Sequence, residues 1–471
     1  MSKGDNTRLQ VKILLLFAVF LLAVVVACEN SKSTNDDDAD DDAASDDDSS
    51  DGYIEYVPIK DSLGRTIIAR GANYTGMETG WFHHAPEDFQ RMASWGFNVV
   101  RLPIAWYYLE PEQGVWDVSY LTDVVAPIVS YAHDAGLMVI LDMHQWKWSP
   151  CCGGCGIPSW TCIDPKPIEF EWLRQSTLFW NHSLYLDHFI QTWELVAEFF
   201  SGDDRIWAYD LFNEPTAGFS LPEACENQLF RPLYIRLIEA IRKLHPEPYI
   251  IVEPAITNGL GFPFVMEPLP YERIIYSPHL YPWFIADGKT GYWFGKKILE
   301  SQIAEKLDDA NERQMPLLIG ETGIGSAADN AEIYARDATG LFDKYMTSFT
   351  WWTYWRDDAG FGLLDSSGNE KEIFIKYLSR PYPRVTAGNL KEFFFDVDKR
   401  VFTVTFENDP KLSPEIEIFI PKARHYSEGF IVECSDGEGT YSYSFDEQSQ
   451  TLAVTCDPKE HIHRITVMPA D

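Results

Sequence analysis

The chain has 471 residues, 45% of them apolar, and a formal net charge of −34 at neutral pH. This length and apolar content predict a large hydrophobic core and more than one domain. The negative charge argues against nucleic-acid binding, because phosphates require basic surfaces.

The first 28 residues have the organisation of an export signal. Lys3, Arg8 and Lys12 precede an apolar run, 13–27, that is shorter than a comfortable membrane span. The run ends in Val25-Val26-Ala27-Cys28, which resembles the lipobox of bacterial lipoproteins, where the cysteine becomes the lipidated first residue. We therefore expect an exported protein anchored through Cys28 to a bacterial membrane, at the outer membrane or the cell surface. The alternative is an ordinary cleaved signal with an incidental cysteine.

Residues 29–52 are dominated by Asp, Ser and Ala. Such a run predicts a solvated, disordered tether whose charges repel one another. Calcium binding is the alternative, but no spacing in this run is typical of an ordered calcium loop.

In residues 53–381, apolar strand-like runs alternate with helix-like segments. The strands are predicted at 67–73, 98–102, 138–143, 206–211, 249–252, 274–277, 316–320 and 350–352. The helices between them are predicted at 86–95, 120–135, 187–200, 229–244, 296–312 and 331–346. This order favours a closed (β/α)₈ catalytic barrel, or TIM barrel. An open doubly wound sheet is the alternative, but no glycine-rich phosphate turn follows the first strand.

Residues 382–471 have a different pattern, in which short strand-like runs are separated by turn residues. No convincing helix interrupts them, so we expect a small β-sandwich. The connection Arg380-Pro381-Tyr382-Pro383 is short, which predicts that the sandwich docks tightly against the barrel.

Seven cysteines remain besides Cys28, an odd number. Export favours disulfides over a zinc site, and we expect Cys434 to pair with Cys456. The other five cysteines are Cys151, Cys152, Cys155, Cys162 and Cys225. Their disulfide pairing stays open, and the alternative is that cysteines of this cluster bind zinc.

Two acidic motifs lie about a hundred residues apart, Asn213-Glu214-Pro215 and Gly320-Glu321-Thr322. Each places a glutamate directly after an apolar run, where a buried strand would end. Since the reactive groups of a barrel lie at the carboxyl ends of its strands, the two carboxylates are expected at one mouth. An acid and a nucleophile or base are what hydrolysis of a glycosidic bond requires. The motifs predict a glycoside hydrolase that needs no metal or organic cofactor.

Further polar and aromatic residues fall at the other strand ends. They are Arg101, His144, Gln145, Asn213, His279, Tyr281, Trp352 and Trp355. Taken singly, each also fits a structural role, such as an ion pair, a scaffold histidine or a core ring. As an ordered set over residues 65–380 they resemble glycoside hydrolase family 5, a family of retaining barrel enzymes.

The resemblance implies a role for the residues nearest the reaction. Glu214 would be the acid/base and Glu321 the nucleophile. Asn213 would bind the sugar 2-hydroxyl, and Arg101 and Tyr281 would position Glu321.

The resemblance also implies how the sugar is held. His144 and His279 would line the subsite beside the scissile bond. Trp355, with Trp352 second, would lie beneath that sugar. Gln145 and Trp146 are further supporting candidates.

The two carboxyl groups need different protonation states. Glu321 must be ionised to attack, and Arg101 is expected to lower its pKa, whereas the second carboxylate is expected to raise the pKa of Glu214. Retention predicts carboxyl groups roughly 5–5.5 Å apart, and inversion about 9 Å.

Within the family the chain is most similar to endoglycoceramidases and related glycosylceramidases, which cut between a sugar and ceramide. The similarity lies in Asp142-Met143-His144-Gln145, in Leu109-Glu110-Pro111 with Gly114, and in the C-terminal β module. The chain departs from that group at Trp146, where an acidic residue is usual, and at 73–76, where a lysine is expected. The expected partner is therefore a glycolipid or oligosaccharide, and the sequence does not specify the identity of its glycan. The protein is expected to be a monomer.

Two other functions remain as alternatives. An endo-β-glucanase or mannanase of the same family would have an open, aromatic-lined groove. A non-catalytic, surface carbohydrate-binding lipoprotein would have no need for both Glu214 and Glu321.

Overall fold

A ring of parallel strands is the centre of the structure, a computed structural model that describes residues 53–218 and 220–470. The predicted signal with Cys28 and the predicted tether, 29–52, lie outside the described residues. After a short hairpin, β1 (Ile59–Lys60) and β2 (Thr66–Ile67), come the strands of the ring. They are β3 (Arg70–Asn73), β4 (Val99–Ile104), β5 (Met138–Met143), β6 (Ile206–Asp210), β7 (Tyr249–Val252), β8 (Ile274–Tyr276), β9 (His279–Leu280), β10 (Leu318–Thr322) and β11 (Ser348–Trp351).

The ring closes through its sixth strand, which is interrupted at Ser277-Pro278 into the halves β8 and β9. β8 pairs with β7 and β9 with β10, both in parallel, and a parallel bridge joins Tyr276 to Leu317. The other strands pair with their neighbours in chain order, and β11 pairs with β3. The predicted eight-stranded barrel is therefore confirmed.

Both faces of the barrel strands are buried, as their continuous apolar sequences predict. All six residues of β4 and all five of β10 are buried. Gly71 lies so close to β4 that a Cβ atom there would be 1.8 Å from the Val99 carbonyl oxygen. This position of β3 therefore requires glycine.

Helices cover the outside of the barrel. They are α1 (Pro86–Ser94), α2 (Trp106–Leu109), α3 (Ala126–Asp134), α4 (Glu171–Trp180), α5 (Ser183–Phe199), α6 (Pro222–Cys225), α7 (Arg231–Leu244), α8 (Lys296–Glu312), α9 (Ala331–Lys344) and α10 (Glu372–Leu378). Proline occupies the first helical position of α1, where its missing N–H costs nothing. α4 was not predicted; it buries Leu173, Phe179 and Trp180 within the long insertion between β5 and β6.

The C-terminal part is a sandwich of two antiparallel sheets, as predicted. Its elements are β12 (Tyr382–Thr386), β13 (Gly388–Asp396), β14 (Val401–Asn408), β15 (Glu415–Phe419), α11 (Lys422–His425), β16 (Phe430–Cys434), β17 (Ser442–Asp446), β18 (Thr451–Thr455) and β19 (Ile462–Pro469). One sheet has the order β1-β2-β12-β15-β18-β17 and the other β13-β14-β19-β16. The N-terminal hairpin thus extends a sandwich sheet, and the strand predicted at 67–73 divides between the sandwich and the barrel. The single helical turn α11 was not predicted.

A buried ion network fastens the sandwich to the barrel. Asp343 on α9 accepts hydrogen bonds from Arg70 and Arg380, both at 2.5 Å. Arg380 also donates to the Phe395 carbonyl at 2.8 Å, and Tyr382 donates to the Gly96 carbonyl at 2.7 Å. Because these charges are buried and paired with one another, separating the modules would leave them unpaired. This agrees with the tight docking expected from the short connection.

The cysteines behave differently in the two modules. Cys151 and Cys162 form a disulfide that closes an 11-residue separation. Cys434 and Cys456 come together as expected, but both are free thiols. Their sulfur atoms and an Asp436 oxygen lie within 4.8 Å of one another, so the predicted bond is wrong for this structure.

Among the described residues, no helix is long and apolar enough to cross a membrane.

Candidate active site

Glu214 lies in a constrained turn immediately after β6. Its φ of 44° is unusual for a residue with a side chain. Its backbone N–H donates to Glu253 Oε2 at 2.7 Å. The Gln145 amide donates to the carbonyls of Asn213 and Glu214, each at 3.1 Å. These bonds hold the turn and direct the half-buried Glu214 carboxyl group into the barrel mouth.

Glu321 projects from β10 and is buried, with 5% of its surface exposed. Its Oε1 accepts a hydrogen bond from Arg101 at 3.0 Å, and its Oε2 accepts one from the Tyr281 hydroxyl at 3.1 Å. Both oxygens of the carboxylate are therefore held in place before any substrate arrives.

The two glutamates face each other across a narrow gap. One carboxylate oxygen of each lies within 4.8 Å of the other and of a ring nitrogen of His279. His279 Nδ1 is 2.9 Å from Glu214 Oε1 and 3.6 Å from Glu321 Oε2. The separation agrees with the roughly 5–5.5 Å of retaining enzymes and is far below the ~9 Å of inverting ones.

Arg101 is fully buried beneath these groups and bonds to several carboxylates at once. Its guanidinium lies 3.1 Å from Asp142, 2.8 Å from Asp210, 2.8 Å from Glu253 and 3.0 Å from Glu321. It also donates to the side-chain oxygens of Asn73 and Asn213, at 3.0 and 2.9 Å. Arg101 is thus the shared cation of the site rather than the partner of Glu321 alone.

Three further acidic residues of the site, Asp142, Asp210 and Glu253, were not predicted from the sequence. Asp142 and Asp210 lie near the carboxyl ends of β5 and β6, and Glu253 follows β7 directly. The sequence feature that could have identified them is an acidic residue at or just after the end of each of three apolar runs. Buried carboxylates at such positions require a cation, and Arg101, in the predicted strand 98–102, is the residue that supplies it.

The protonation order of the glutamates differs from the expected one. Burial raises the pKa of both carboxyl groups. At Glu214, the hydrogen bond and positive charge of His279 outweigh burial and hold the pKa below its usual value. At Glu321, burial and the charge of Glu214 outweigh His279 and Arg101, so its pKa lies above its usual value. Arg101 does lower the pKa of Glu321, as expected. The net order is the reverse of the expected one because Arg101 divides its charge among four carboxylates and because His279 bonds to Glu214.

The carboxylates around His279 determine the direction in which its pKa is shifted. Burial alone would lower the pKa of His279, but Glu253 and Glu321 raise it well above its usual value. The 2.9 Å contact between His279 Nδ1 and Glu214 Oε1 couples the protonation of the two groups.

His144 and Trp352 form a flat wall beside the carboxylates. His144 Nδ1 lies 2.7 Å from Asp142 Oδ2, and its ring stacks on Trp352 with centroids 5.7 Å apart and planes 12° from parallel. The Trp352–Thr353 peptide bond is cis. Trp355 instead lies against Trp81 and His83, with centroids 4.9 and 4.8 Å away. Trp352 is thus better placed than Trp355 to lie beneath the reacting sugar.

Gln145 and Trp146 begin the insertion that follows β5. Gln145 is buried and supports the Glu214 turn, whereas the Trp146 side chain is 56% exposed. The backbone of Trp146 pairs with Cys155 in both directions, at 3.1 and 2.8 Å. The Cys151–Cys162 disulfide crosslinks this loop. The exposed tryptophan therefore lies at the start of a loop that a disulfide constrains.

Three groups of side chains in the described residues have the spacing of metal ligands. Two belong to the site, Glu214 with His279 and Glu321, and Asp142 with Asp210 and Glu253. In the second of these, the guanidinium of Arg101 already occupies the position of a cation. In the third, Cys434–Asp436–Cys456, Asp436 already bonds to His463 and to the Asp457 N–H.

Comparison with known proteins gives the same assignment as this geometry. The model of the cellulase family, glycosyl hydrolase family 5, matches residues 64–358. The chain belongs to glycosyl hydrolase family 5. The sandwich matches the family 5 C-terminal domain over residues 380–467.

Several relatives span most of the chain. Endoglycoceramidase I of Rhodococcus hoagii is 27% identical over 420 residues, covering 81% of each chain. The structure of endo-glycoceramidase II from a Rhodococcus species with ganglioside GM3 is 26% identical, with a TM-score of 0.78, and covers 88% of this chain and 100% of that one. Endoglucanase A of Paenibacillus barcinonensis is 23% identical over 361 residues, covering 65% of this chain and 83% of its own.

The structure brings together the residues to which the resemblance assigns a double displacement. In those roles Glu321 would attack the anomeric carbon, while Glu214 would donate a proton to the leaving oxygen. Glu214 would then take a proton from a water molecule whose oxygen attacks the anomeric carbon and displaces Glu321. The protein is therefore a glycosidase.

Proposed function

We propose that this glycosidase cleaves the bond between the glycan and the ceramide of glycosphingolipids, with retention of configuration. The observation that carries the proposal is the pair of Glu214 and Glu321 oxygens within 4.8 Å, set in a two-module chain whose relatives include endoglycoceramidases.

Exposed apolar side chains on loops that follow the barrel strands support a lipid aglycone. Glu214, which protonates the leaving oxygen, follows β6, the fourth barrel strand. The loops after the third, fourth and sixth strands expose Ile168, Leu221 and Trp293. Exposed large apolar residues mark surfaces that bind apolar partners, and ceramide is such a partner.

The proposed location of the enzyme fits this substrate. We expect export and acylation at Cys28, followed by the acidic tether, to hold a monomeric enzyme beside a membrane. The remaining alternative is an endo-β-glucanase or mannanase activity, for which the exposed Trp81 and Trp146 rings would serve as stacking platforms.

The test is a comparison of hydrolysis rates on glucosylceramide, lactosylceramide, a ganglioside, cello-oligosaccharides and mannan, with Glu321→Gln as the blank. Release of intact oligosaccharide or sugar from ceramide at the highest rate is the expected result. Faster hydrolysis of cello-oligosaccharides or mannan would overturn the ceramide proposal and leave the family assignment intact.

A further inference from the structure

A buried carboxylate holds the backbone of the loop that follows β7. Glu226 is fully buried and begins the turn Glu226–Phe230 between α6 and α7. Its Oε1 accepts a hydrogen bond from the Ala255 N–H at 2.9 Å, and its Oε2 accepts one from the Val265 N–H at 2.7 Å. Both oxygens of the side chain are therefore used to fix this loop.

A second buried side chain bonds to the start of the same loop. Tyr234 on α7 is fully buried, and its hydroxyl donates to the Glu253 carbonyl at 2.9 Å. Between Glu253 and Ala255 lies Pro254, whose ring fixes φ. Because two residues span at most about 7 Å, the two anchors hold one short, stiff segment. We call Glu226 and Tyr234 the clamp.

The clamped segment bonds twice to the turn that carries Glu214. Glu253 Oε2 accepts a hydrogen bond from the Glu214 N–H at 2.7 Å, and the Ile256 N–H donates to the Pro215 carbonyl at 3.0 Å. The φ of 44° at Glu214 is a backbone conformation that persists only where the surrounding structure imposes it. The segment 253–256 supplies two of the bonds that impose it.

The nucleophile depends on this segment less than Glu214 does. Glu321 is held by the Tyr281 hydroxyl at 3.1 Å and by Arg101 at 3.0 Å. Arg101 bonds to Glu253 as well, but it has three further carboxylate partners. A shift of Glu253 therefore leaves Arg101 fixed by the others. Movement of the clamped segment is expected to misplace Glu214 more than Glu321.

We propose that Glu226 and Tyr234 are positioning residues of the catalytic acid. They hold the backbone of Glu253, and Glu253 in turn fixes the turn that directs the Glu214 carboxyl group. The proposal rests on the acid/base role of Glu214 in the proposed function and does not depend on ceramide as the aglycone. A displacement of about 1 Å in such a group is enough to slow the reaction strongly.

Two matched controls lie in the same part of the chain. Glu223 is exposed on α6, so Glu223→Gln makes the same chemical change at the surface. Asn227 bonds to the far end of the loop, to the Val265 carbonyl at 2.8 Å and the Glu267 N–H at 2.7 Å. Asn227→Ala therefore loosens the loop at its far end, away from the segment 253–256.

The first test measures backbone hydrogen exchange by mass spectrometry, which needs no substrate. Glu226→Gln replaces one acceptor oxygen with an NH₂ group, so exchange should become about tenfold faster in the peptide that carries Glu214. Tyr234→Phe should have the same effect and provides the result if Glu226→Gln does not fold. Glu223→Gln and Asn227→Ala should leave that peptide unchanged. Unchanged exchange there in the clamp variants would overturn the proposal.

The second test compares kcat/KM on two β-lactosides that differ only in the leaving group, octyl or dinitrophenyl. Octanol must be protonated as it leaves, whereas dinitrophenolate leaves without a proton. Glu226→Gln should lower kcat/KM by about tenfold for the octyl lactoside and by less than twofold for the dinitrophenyl lactoside. A purely structural role would reduce the amount of folded enzyme and lower both values equally. Equal losses would therefore overturn the clamp.

Combining Glu226→Gln with Glu214→Ala separates the two possible failures. In the double variant, Glu226→Gln should cause no further loss on the octyl lactoside, because the group that it positions is gone. A full further loss would overturn the clamp and leave the acid/base role of Glu214 intact. If Glu214→Ala by itself lowered both lactosides equally, the acid/base role would fail, and the clamp proposal with it.

Discussion

The imidazole of His279 lies between the two catalytic carboxylates, 2.9 Å from Glu214 and 3.6 Å from Glu321. His279 lowers the pKa of Glu214, and the carboxylates around His279 raise its own pKa well above the usual value.

Replacing His279 with Asn should move the alkaline limb of the kcat/KM profile to lower pH. In the wild type the pair loses its proton only at the raised pKa of His279, above the usual histidine value. In the variant the proton rests on Glu214 alone, whose pKa is that of a buried carboxyl group. Activity is then lost at lower pH. The control is His461→Asn, a 73% exposed histidine; an unmoved limb in His279→Asn would contradict the pairing.

Replacing Glu321 with Gln should reduce kcat to below about 10⁻⁴ of wild type, since the amide cannot form the glycosyl-enzyme bond. Folding should be retained, because the amide keeps one acceptor for the Tyr281 hydroxyl or the Arg101 guanidinium. Turnover and far-UV circular dichroism are the measurements. Substantial activity in a variant shown to be free of wild type would remove Glu321 from the nucleophile role.

Replacing Glu214 with Ala should affect substrates unequally. Hydrolysis of a glycolipid, whose leaving alcohol needs a proton, should fall by about 10²–10⁴-fold. An aryl glycoside with an acidic leaving group should lose much less in the first step, and added azide should restore turnover as a glycosyl azide. Equal losses on both substrates, with no effect of azide, would show that Glu214 is not the acid/base.

Replacing Arg101 with Met should destabilise the fold by about 3–5 kcal/mol, because it leaves Asp142, Asp210 and Glu253 as buried charges without a cation. Urea denaturation measures the change in the free energy of unfolding. The matched variant is Arg336→Met, whose arginine pairs with Asp398 on the surface and should change stability by about 0–1 kcal/mol. Equal effects of the two variants would contradict the network.

Much of the barrel could be predicted because parallel strands that are buried on both faces have continuous apolar sequences. The bounds predicted for β5 and β7 match the structure, and the residues after β6 and on β10 supplied Glu214 and Glu321. The N-terminal hairpin could not be assigned in the same way. Ile67 pairs with Val385 more than three hundred residues later, and nothing local in the sequence specifies so distant a partner.

The interior of the site was harder to predict than its rim. The buried charges of Asp142, Asp210 and Glu253 are balanced by Arg101. This pairing becomes evident only when the strands are brought together in the barrel. The order of Trp352 and Trp355 depends on the course of the chain after β11, where three rings occur within four residues. The protonation order depends on the 2.9 Å contact of His279 with Glu214, a distance that no sequence pattern encodes.

The most direct test of the account is the configuration of the first-formed sugar, followed by proton NMR before mutarotation. Glutamate oxygens within 4.8 Å predict that a β-glycoside releases the β-anomer. Initial release of the α-anomer would mean single displacement by water and would contradict Glu321 as the nucleophile.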